Sequence, residues 1–87
     1  MEKSIAIVIT KRQRDLILKY GYPFKEISNQ LKKGERYPNK KTISADNYWW
    51  QQLLGNLAMS LNHGDVKNED EYWESQELCD MIEYRLR

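Results

Sequence analysis

Residues 45–62 read Ala-Asp-Asn-Tyr-Trp-Trp-Gln-Gln-Leu-Leu-Gly-Asn-Leu-Ala-Met-Ser-Leu-Asn, and this stretch decides our prediction of the fold. Its apolar side chains recur at the spacing of about 3.6 residues that places them on one face of a helix. The predicted inward stripe consists of Trp50, Leu54, Leu57, Ala58 and Leu61, with Leu53 and Trp49 on its shoulder. Ser44 stands at the N-cap position and Gly64 follows the last turn. The pattern therefore predicts the longest helix of the chain over 45–62.

Two shorter helices are predicted before this stretch. Thr10 and Gln13 have the spacing of a capping box, which starts a helix over 11–20. Gly21 would end that helix in the left-handed conformation that glycine adopts without strain. A second helix opens at the following Tyr-Pro pair, since proline is tolerated in a first turn, and it ends at Gly34.

A fourth helix is predicted over 69–86. Asn68 and Glu71 have the spacing of a cap and its third residue, and three acids in the first turn suit the helix dipole. Its predicted buried face consists of Leu78, Ile82 and Leu86, with Ser75 and Cys79 beside them. Thus four helices follow one another along the chain, without an internal repeat or a low-complexity linker.

The N-terminal segment is the one piece that is not helical. Residues 5–9 read Ile-Ala-Ile-Val-Ile, which is typical of a short strand covered on both faces. A single strand cannot satisfy its own backbone groups, so it must pair with 41–43, lie across the helices, or pair with its copy in a homodimer. We predict a single domain over 1–87 that is mainly α: a small four-helix bundle with one short N-terminal extended segment or strand.

The charges of the chain are divided between its two halves. Residues 1–43 carry eleven Lys and Arg against four Asp and Glu, whereas 44–87 carry three against nine. Such a division predicts either an acidic partner for the basic half or two halves that fold against each other.

The residues that catalysis would need are sparse. His63 is the only histidine and Cys79 the only cysteine, so no catalytic residue, cofactor site or metal site is predicted. No apolar run approaches the roughly 20 residues of a membrane span, and the start of the chain lacks the pattern of a signal peptide. We therefore expect a cytoplasmic protein that is not an enzyme and has no membrane partner.

Residues 9–31 resemble the first two helices of the helix-turn-helix of response regulators and sigma factors. The matching residues are Gly21, then Glu26-Ile27-Ser28, then Leu31. Thr42-Ile43 is similar to the Thr-Val pair that opens the recognition helix of that family. The resemblance implies a DNA-binding protein built on residues 9–43. The basic residues that would then contact phosphates are Arg12, Arg14, Lys25, Lys32, Lys33, Lys40 and Lys41.

The chain departs from that family in two respects. A longer loop with Gly34 and Pro38 replaces the tight turn before the third helix. The helix in the place of the recognition helix contains no Lys or Arg and begins with an acid, whereas base reading usually recruits Arg, Lys, Asn or Gln. DNA binding is therefore our alternative prediction, and a simple helical hairpin matches the same residues.

Some large side chains fall off the predicted core stripes. They are Tyr48, Gln52 and Met59 on the long helix, and Trp73, Glu77 and Tyr84 on the last. Exposed Trp and Tyr ringed by polar groups are typical of binding hot spots, unless the N-terminal segment or the 35–43 loop covers them. Our leading prediction is a small non-enzymatic module that binds another protein as a regulator, inhibitor or immunity-type factor. In a homodimer the same face would be its own interface.

Overall fold

Two strands that are distant in the sequence form a two-stranded antiparallel sheet. The computed structural model describes residues 4–32 and 36–87. Strand β1 (Ser4–Thr10) pairs with β2 (Lys40–Asp46) in a continuous register, from Ser4 opposite Asp46 to Thr10 opposite Lys40. The N-terminal segment therefore pairs within the chain, which is the first of the three arrangements that the sequence left open.

The prediction of a mainly α four-helix bundle is wrong, because the described residues form an α+β fold. Residues 44–46 lie in β2 instead of starting the long helix, and Ser44 caps no helix. In β2, Ile43 and Ala45 are buried while Thr42 and Ser44 are exposed, which is the two-residue alternation of a half-buried strand. Pairing with β1 satisfies the backbone groups of this segment, and it outweighs the local helix signal that Ser44 gives.

Four helices complete the described fold: the first three contact the sheet, and the fourth packs against the third and the first. They are α1 (Lys11–Leu16), which continues into one π-helical turn (Ile17–Gly21), α2 (Lys25–Lys32), α3 (Asn47–Asn62) and α4 (Glu69–Arg85). The predicted end of the second helix at Gly34 lies outside the described residues.

Two of the predicted caps are confirmed. Thr10 Oγ1 accepts from the backbone N–H of Gln13 at 3.1 Å, while Gln13 Oε1 accepts from the backbone N–H of Thr10 at 2.9 Å. Asn68 Oδ1 accepts from the backbone N–H of Glu71 at 3.0 Å. These bonds satisfy N–H groups that the first turns of α1 and α4 would otherwise leave unpaired.

The end of the first helix differs from its prediction. The left-handed residue is Tyr22, with φ of 44°, and not Gly21. Gly21 instead allows α3 to approach the π-helical turn closely, because a Cβ atom at this position would stand 2.6 Å from Leu53 Cδ1 in α3. The carbonyl of Tyr20 accepts from Ser60 Oγ at 2.8 Å, so α3 also supplies a partner for the backbone of the π-helical turn.

The helix-turn-helix arrangement is not formed within residues 9–43. Thr42 and Ile43, which resemble the start of a recognition helix, lie in strand β2. The next helix, α3, begins only at Asn47 and carries Asp46 at its N-cap. The resemblance therefore extends to α1 and α2 and ends there.

Trp50 lies at the centre of the core. Its side chain is fully buried, and its Nε1 donates to the carbonyl oxygen of Ile5 in β1 at 2.9 Å. Around it, the sheet contributes Ile7, Ile9, Ile43 and Ala45, and the helices contribute Leu16, Ile17, Ile27, Leu31, Leu53, Leu57, Leu78 and Ile82. One side chain thus joins α3 to the sheet by both packing and a hydrogen bond.

The variant Trp50→Phe tests this arrangement. We expect it to lower the free energy of unfolding by about 2 kcal/mol, because it removes indole volume and leaves the Ile5 carbonyl without its donor. Trp73→Phe is the matched control, since Trp73 is 57% exposed, and should change the free energy by less than about 0.5 kcal/mol. Urea denaturation of the two variants measures both values, and equal losses would contradict a special role for Trp50.

Candidate functional site

A groove of about 400 Å³ runs between α3 and α4. The two helices are joined by the short segment 63–68 and pack against each other, so they run in opposite directions. Helix α3 contributes Gln51, Leu54, Gly55, Ala58, Leu61 and Asn62. Helix α4 contributes Gln76, Cys79, Asp80 and Glu83. We call this feature the α3–α4 groove.

The floor of the α3–α4 groove is apolar and its rim is polar. Leu54 and Ala58 are half-buried, and Cys79 and Leu61 are buried. The rim consists of Gln51, Asn62, Gln76, Asp80 and Glu83. Among the described residues that line the groove, none is Lys or Arg. An apolar floor with a few polar groups around it is typical of a binding site.

The predicted partner-binding residues lie on the same two helices. The exposed fractions are 57% for Tyr48, 55% for Met59, 57% for Trp73 and 73% for Tyr84, so all four large side chains face solvent in the described chain. Glu77 is exposed and Gln52 is half-buried. Neither the N-terminal segment from Ser4 onward nor the described part of the 35–43 loop covers the four side chains.

Helix geometry relates these side chains to the groove. Positions seven and eleven residues apart lie on nearly the same face of an α-helix. On α3, Gly55 stands seven residues after Tyr48 and four before Met59. On α4, Asp80 stands seven residues after Trp73 and four before Tyr84. Because Gly55 and Asp80 both line the α3–α4 groove, the exposed apolar side chains flank it on both helices.

The sequence pattern did not reveal the floor of the groove. Of the predicted core stripe of α3, Trp50, Leu57 and Leu61 are buried as expected. Leu54 and Ala58 are only half-buried, and Leu53 and Ser60 are buried in their place. The true stripe is rotated about the helix axis, and this leaves Leu54 and Ala58 on the groove side. The signal in the sequence that could have indicated this surface is Gly55, a glycine inside a predicted helix.

The opposite charges of the two halves meet between α1 and α4. Arg12 forms a two-pronged pair with Glu74, from Nε to Oε2 at 2.8 Å and from Nη2 to Oε1 at 2.9 Å. Lys19 Nζ donates to Glu71 Oε1 at 3.0 Å. The sequence predicted either an acidic partner or two halves that fold against each other. For these four residues the basic half folds against the acidic half.

Glu71 lies at the centre of this network. Its carboxylate accepts from Tyr20 Oη at 2.7 Å, and its side chain is only 12% exposed. The hydrogen bonds from Tyr20 and then Lys19 hold the pKa of the Glu71 carboxyl below its ordinary value of 4.5. Burial, and after it the same carboxylate, raises the pKa of the Tyr20 hydroxyl.

The candidate phosphate contacts are spread over α1, α2 and β2. Arg12 is held by Glu74, Arg14 Nη2 lies 3.0 Å from Asp15 Oδ1, and Lys41 Nζ donates to the Gln30 carbonyl at 2.9 Å. Lys33 lies outside the described residues. The members that are exposed and form no described ion pair are Lys25, Lys32 and Lys40.

The residues considered for catalysis are apart from one another. His63 is exposed at the end of α3, whereas Cys79 is buried in α4. Burial, and after it the charges of Asp80 and Glu83, raise the pKa of the Cys79 thiol to about 11. Within residues 4–32 and 36–87, no three His, Cys, Asp or Glu side chains are grouped so that they could hold a metal ion. Among the helices of the same residues, none combines the length and the apolar character that a membrane span requires.

Comparisons of this chain with protein-family models, with curated proteins and with solved structures find no match in any of the three.

The variant Glu71→Gln tests the charged network. A carboxylate whose pKa is lowered on folding stabilises the fold fully above its ordinary value of 4.5, and this stabilisation is lost as the pH falls through the lowered pKa. We therefore expect Glu71→Gln to melt below the wild type at about pH 7 and the difference to shrink at about pH 3. Thermal denaturation at a series of pH values measures this. Glu77→Gln, on the exposed side of α4, is the control, and a difference for Glu71→Gln that stays constant with pH would contradict the assignment.

Proposed function

We propose that this chain is a small non-enzymatic module that binds another protein, of the regulatory, inhibitory or immunity type. The docking surface is the outer face of α3 and α4, which consists of the α3–α4 groove and the flanking side chains Tyr48, Met59, Trp73 and Tyr84. One observation carries the proposal: four large side chains, each more than half exposed, flank an apolar groove on one pair of helices.

The composition of this face supports binding to a protein. Single apolar side chains on a surface are ordinary, but aromatic and Met side chains gathered around a concave apolar floor are what interface cores contain. Trp and Tyr contribute the most binding energy at such interfaces, because they bury large areas while ordering few rotatable bonds. Trp73 and Tyr84 lie on one face of α4, with the polar residues Glu77 and Asp80 between them.

The charges of α4 support the same surface. The acids that face α1, Glu71 and Glu74, are bound by Arg12 and Lys19. Glu77 and Asp80 face outward and form no ion pair among the described residues. The outer face of α4 therefore presents negative charge to solvent, which accelerates association with a basic surface.

The alternative, DNA binding, has less support from the geometry. The segment that resembles the start of a recognition helix lies in β2, and the first helix after it begins behind Asp46. Three of the seven candidate phosphate contacts already donate to groups of this chain.

The variants Trp73→Ala and Tyr84→Ala test the proposal. Affinity capture from the cells in which the chain occurs, followed by titration of the purified partner, should give an affinity at least about tenfold weaker for each variant. The midpoint of thermal unfolding should stay close to that of the wild type, because both side chains are exposed.

The control for this experiment is Tyr22→Asn. Tyr22 is 67% exposed but lies outside the proposed surface, and asparagine tolerates its positive φ. Tyr22→Asn should bind the partner as the wild type does. Undiminished binding by both alanine variants would reject the proposed surface, and a large fall in their stability would show that the two rings belong to the core.

A further inference from the structure

Gly55 lies in the middle of α3, where a glycine destabilises the helix relative to alanine. The fold gives no reason for it. A Cβ atom at this position would meet nothing within 4 Å, and the positive φ that favours glycine occurs at Gly64 and not here. Since Gly55 lines the α3–α4 groove, its missing side chain matters only to something that enters the groove from outside. Exposed backbone at a groove wall lets another chain approach closely.

The dimensions of the α3–α4 groove suit a helix. Along α3 the lining residues run from Gln51 to Asn62, which is about 16 Å at 1.5 Å per residue, and along α4 they run from Gln76 to Glu83, about 10 Å. Two to three turns of a helix cover these lengths. Two packed helices with small residues at their junction, here Gly55 and Ala58, present a hollow into which a third helix packs at a short interaxial distance. A partner helix in this position would cover the half-buried Leu54 on the floor.

The rim of the groove selects the charge of the occupant. Asp80 and Glu83 stand on its α4 side, and the other rim groups are the neutral amides of Gln51, Asn62 and Gln76. Arg87 Nη2 lies 3.4 Å from Glu83 Oε1, but Asp80 has no ion-pair partner among the described residues. A helix that carries Lys or Arg beside its apolar stripe would pair with these acids, whereas an acidic helix would be repelled.

We infer that the occupant of the α3–α4 groove is a basic amphipathic α-helix of the partner protein, packed against Gly55 and paired with Asp80. The inference rests on the proposed function and names the partner segment that this surface recognises. Its apolar stripe would lie on Leu54 and Ala58, in the manner of a helix bound in a groove.

The probe is a synthetic peptide of about 14 Leu and Lys residues in a helical amphipathic repeat, and the control probe replaces each Lys with Glu. Nuclear magnetic resonance titration of the full chain should show saturable shifts at the amides of Gly55, Ala58 and Cys79 with the Lys peptide. The Glu peptide should leave them unchanged. Binding should weaken as salt is added, because the rim charges are exposed.

Two variants make the test specific to the groove. Gly55→Gln should weaken the Lys peptide about tenfold or more, because its side chain stands where the occupant packs, and should raise the unfolding temperature. Asn29→Gln, on the exposed side of α2, is the matched control and should bind as the wild type does. Asp80→Lys changes only surface charge and should weaken the Lys peptide by a similar factor, so the test stands even if Gly55→Gln folds poorly.

Several results would overturn the inference. The inference fails if the Lys peptide does not bind, or if the Glu peptide binds equally well. It also fails if neither Gly55→Gln nor Asp80→Lys weakens the binding of the Lys peptide. Light scattering that shows a dimer of this chain, dissociated by Gly55→Gln, would assign the groove to a second copy instead. If Trp73→Ala abolishes binding of the native partner but the groove variants do not, the inference fails while the proposed function stands. If Trp73→Ala, Tyr84→Ala and the groove variants all leave that binding intact, both the inference and the proposed function fail.

Discussion

The packing of Trp50 against the inner face of the sheet is the contact on which the other elements depend. Two strands alone are marginal in water, so β1 and β2 need a helix over their apolar face. Trp50 covers that face and donates to the Ile5 carbonyl, which fixes α3 relative to β1. Towards the other end of β1, Tyr37 Oη donates to the Ile9 carbonyl at 2.8 Å. Because β1 leads directly into α1 and β2 directly into α3, the sheet also fixes the directions of both helices.

The charge division of the sequence has a structural consequence on α4. This helix lies against α1 on one side, and there the acids of one half meet the bases of the other. Exposed pairs of this kind add little stability, but they determine which acids of α4 remain unpaired at its surface. Glu71 and Glu74 form ion pairs within the fold, while Glu77 and Asp80 on the far side form none with residues 4–32 and 36–87. One helix thus contributes both to the fold and to the negative potential of the outer surface.

The sequence predicted the parts of the fold that local interactions determine, and it failed where distant residues decide. The caps at Thr10 and Asn68 bond to groups three residues away, so the starts of α1 and α4 could be read directly. Pairing of the N-terminal strand with 41–43 was one of three open arrangements, and the choice among them and the full extent of β2 could not be read, because the partner residues lie thirty or more positions earlier in the chain. For the candidate site, the exposure of Tyr48, Trp73 and Tyr84 followed from helix periodicity, which leaves them opposite the buried stripes.

The groove itself could not be predicted, because it depends on how far α3 rotates about its axis. The apolar residues of α3 cover a wider arc than one neighbour can bury: Trp50 lies against β1 and Leu57 beside Gly21, while Leu54 and Ala58 are only half-buried and line the groove. A small domain has few elements with which to cover a second apolar face. Helix α4 covers part of that face, and the remainder is the floor of the groove. Gly55 stands beside this uncovered floor, at a position where alanine would stabilise the helix, so stability is given up at the place where the proposed partner helix would pack.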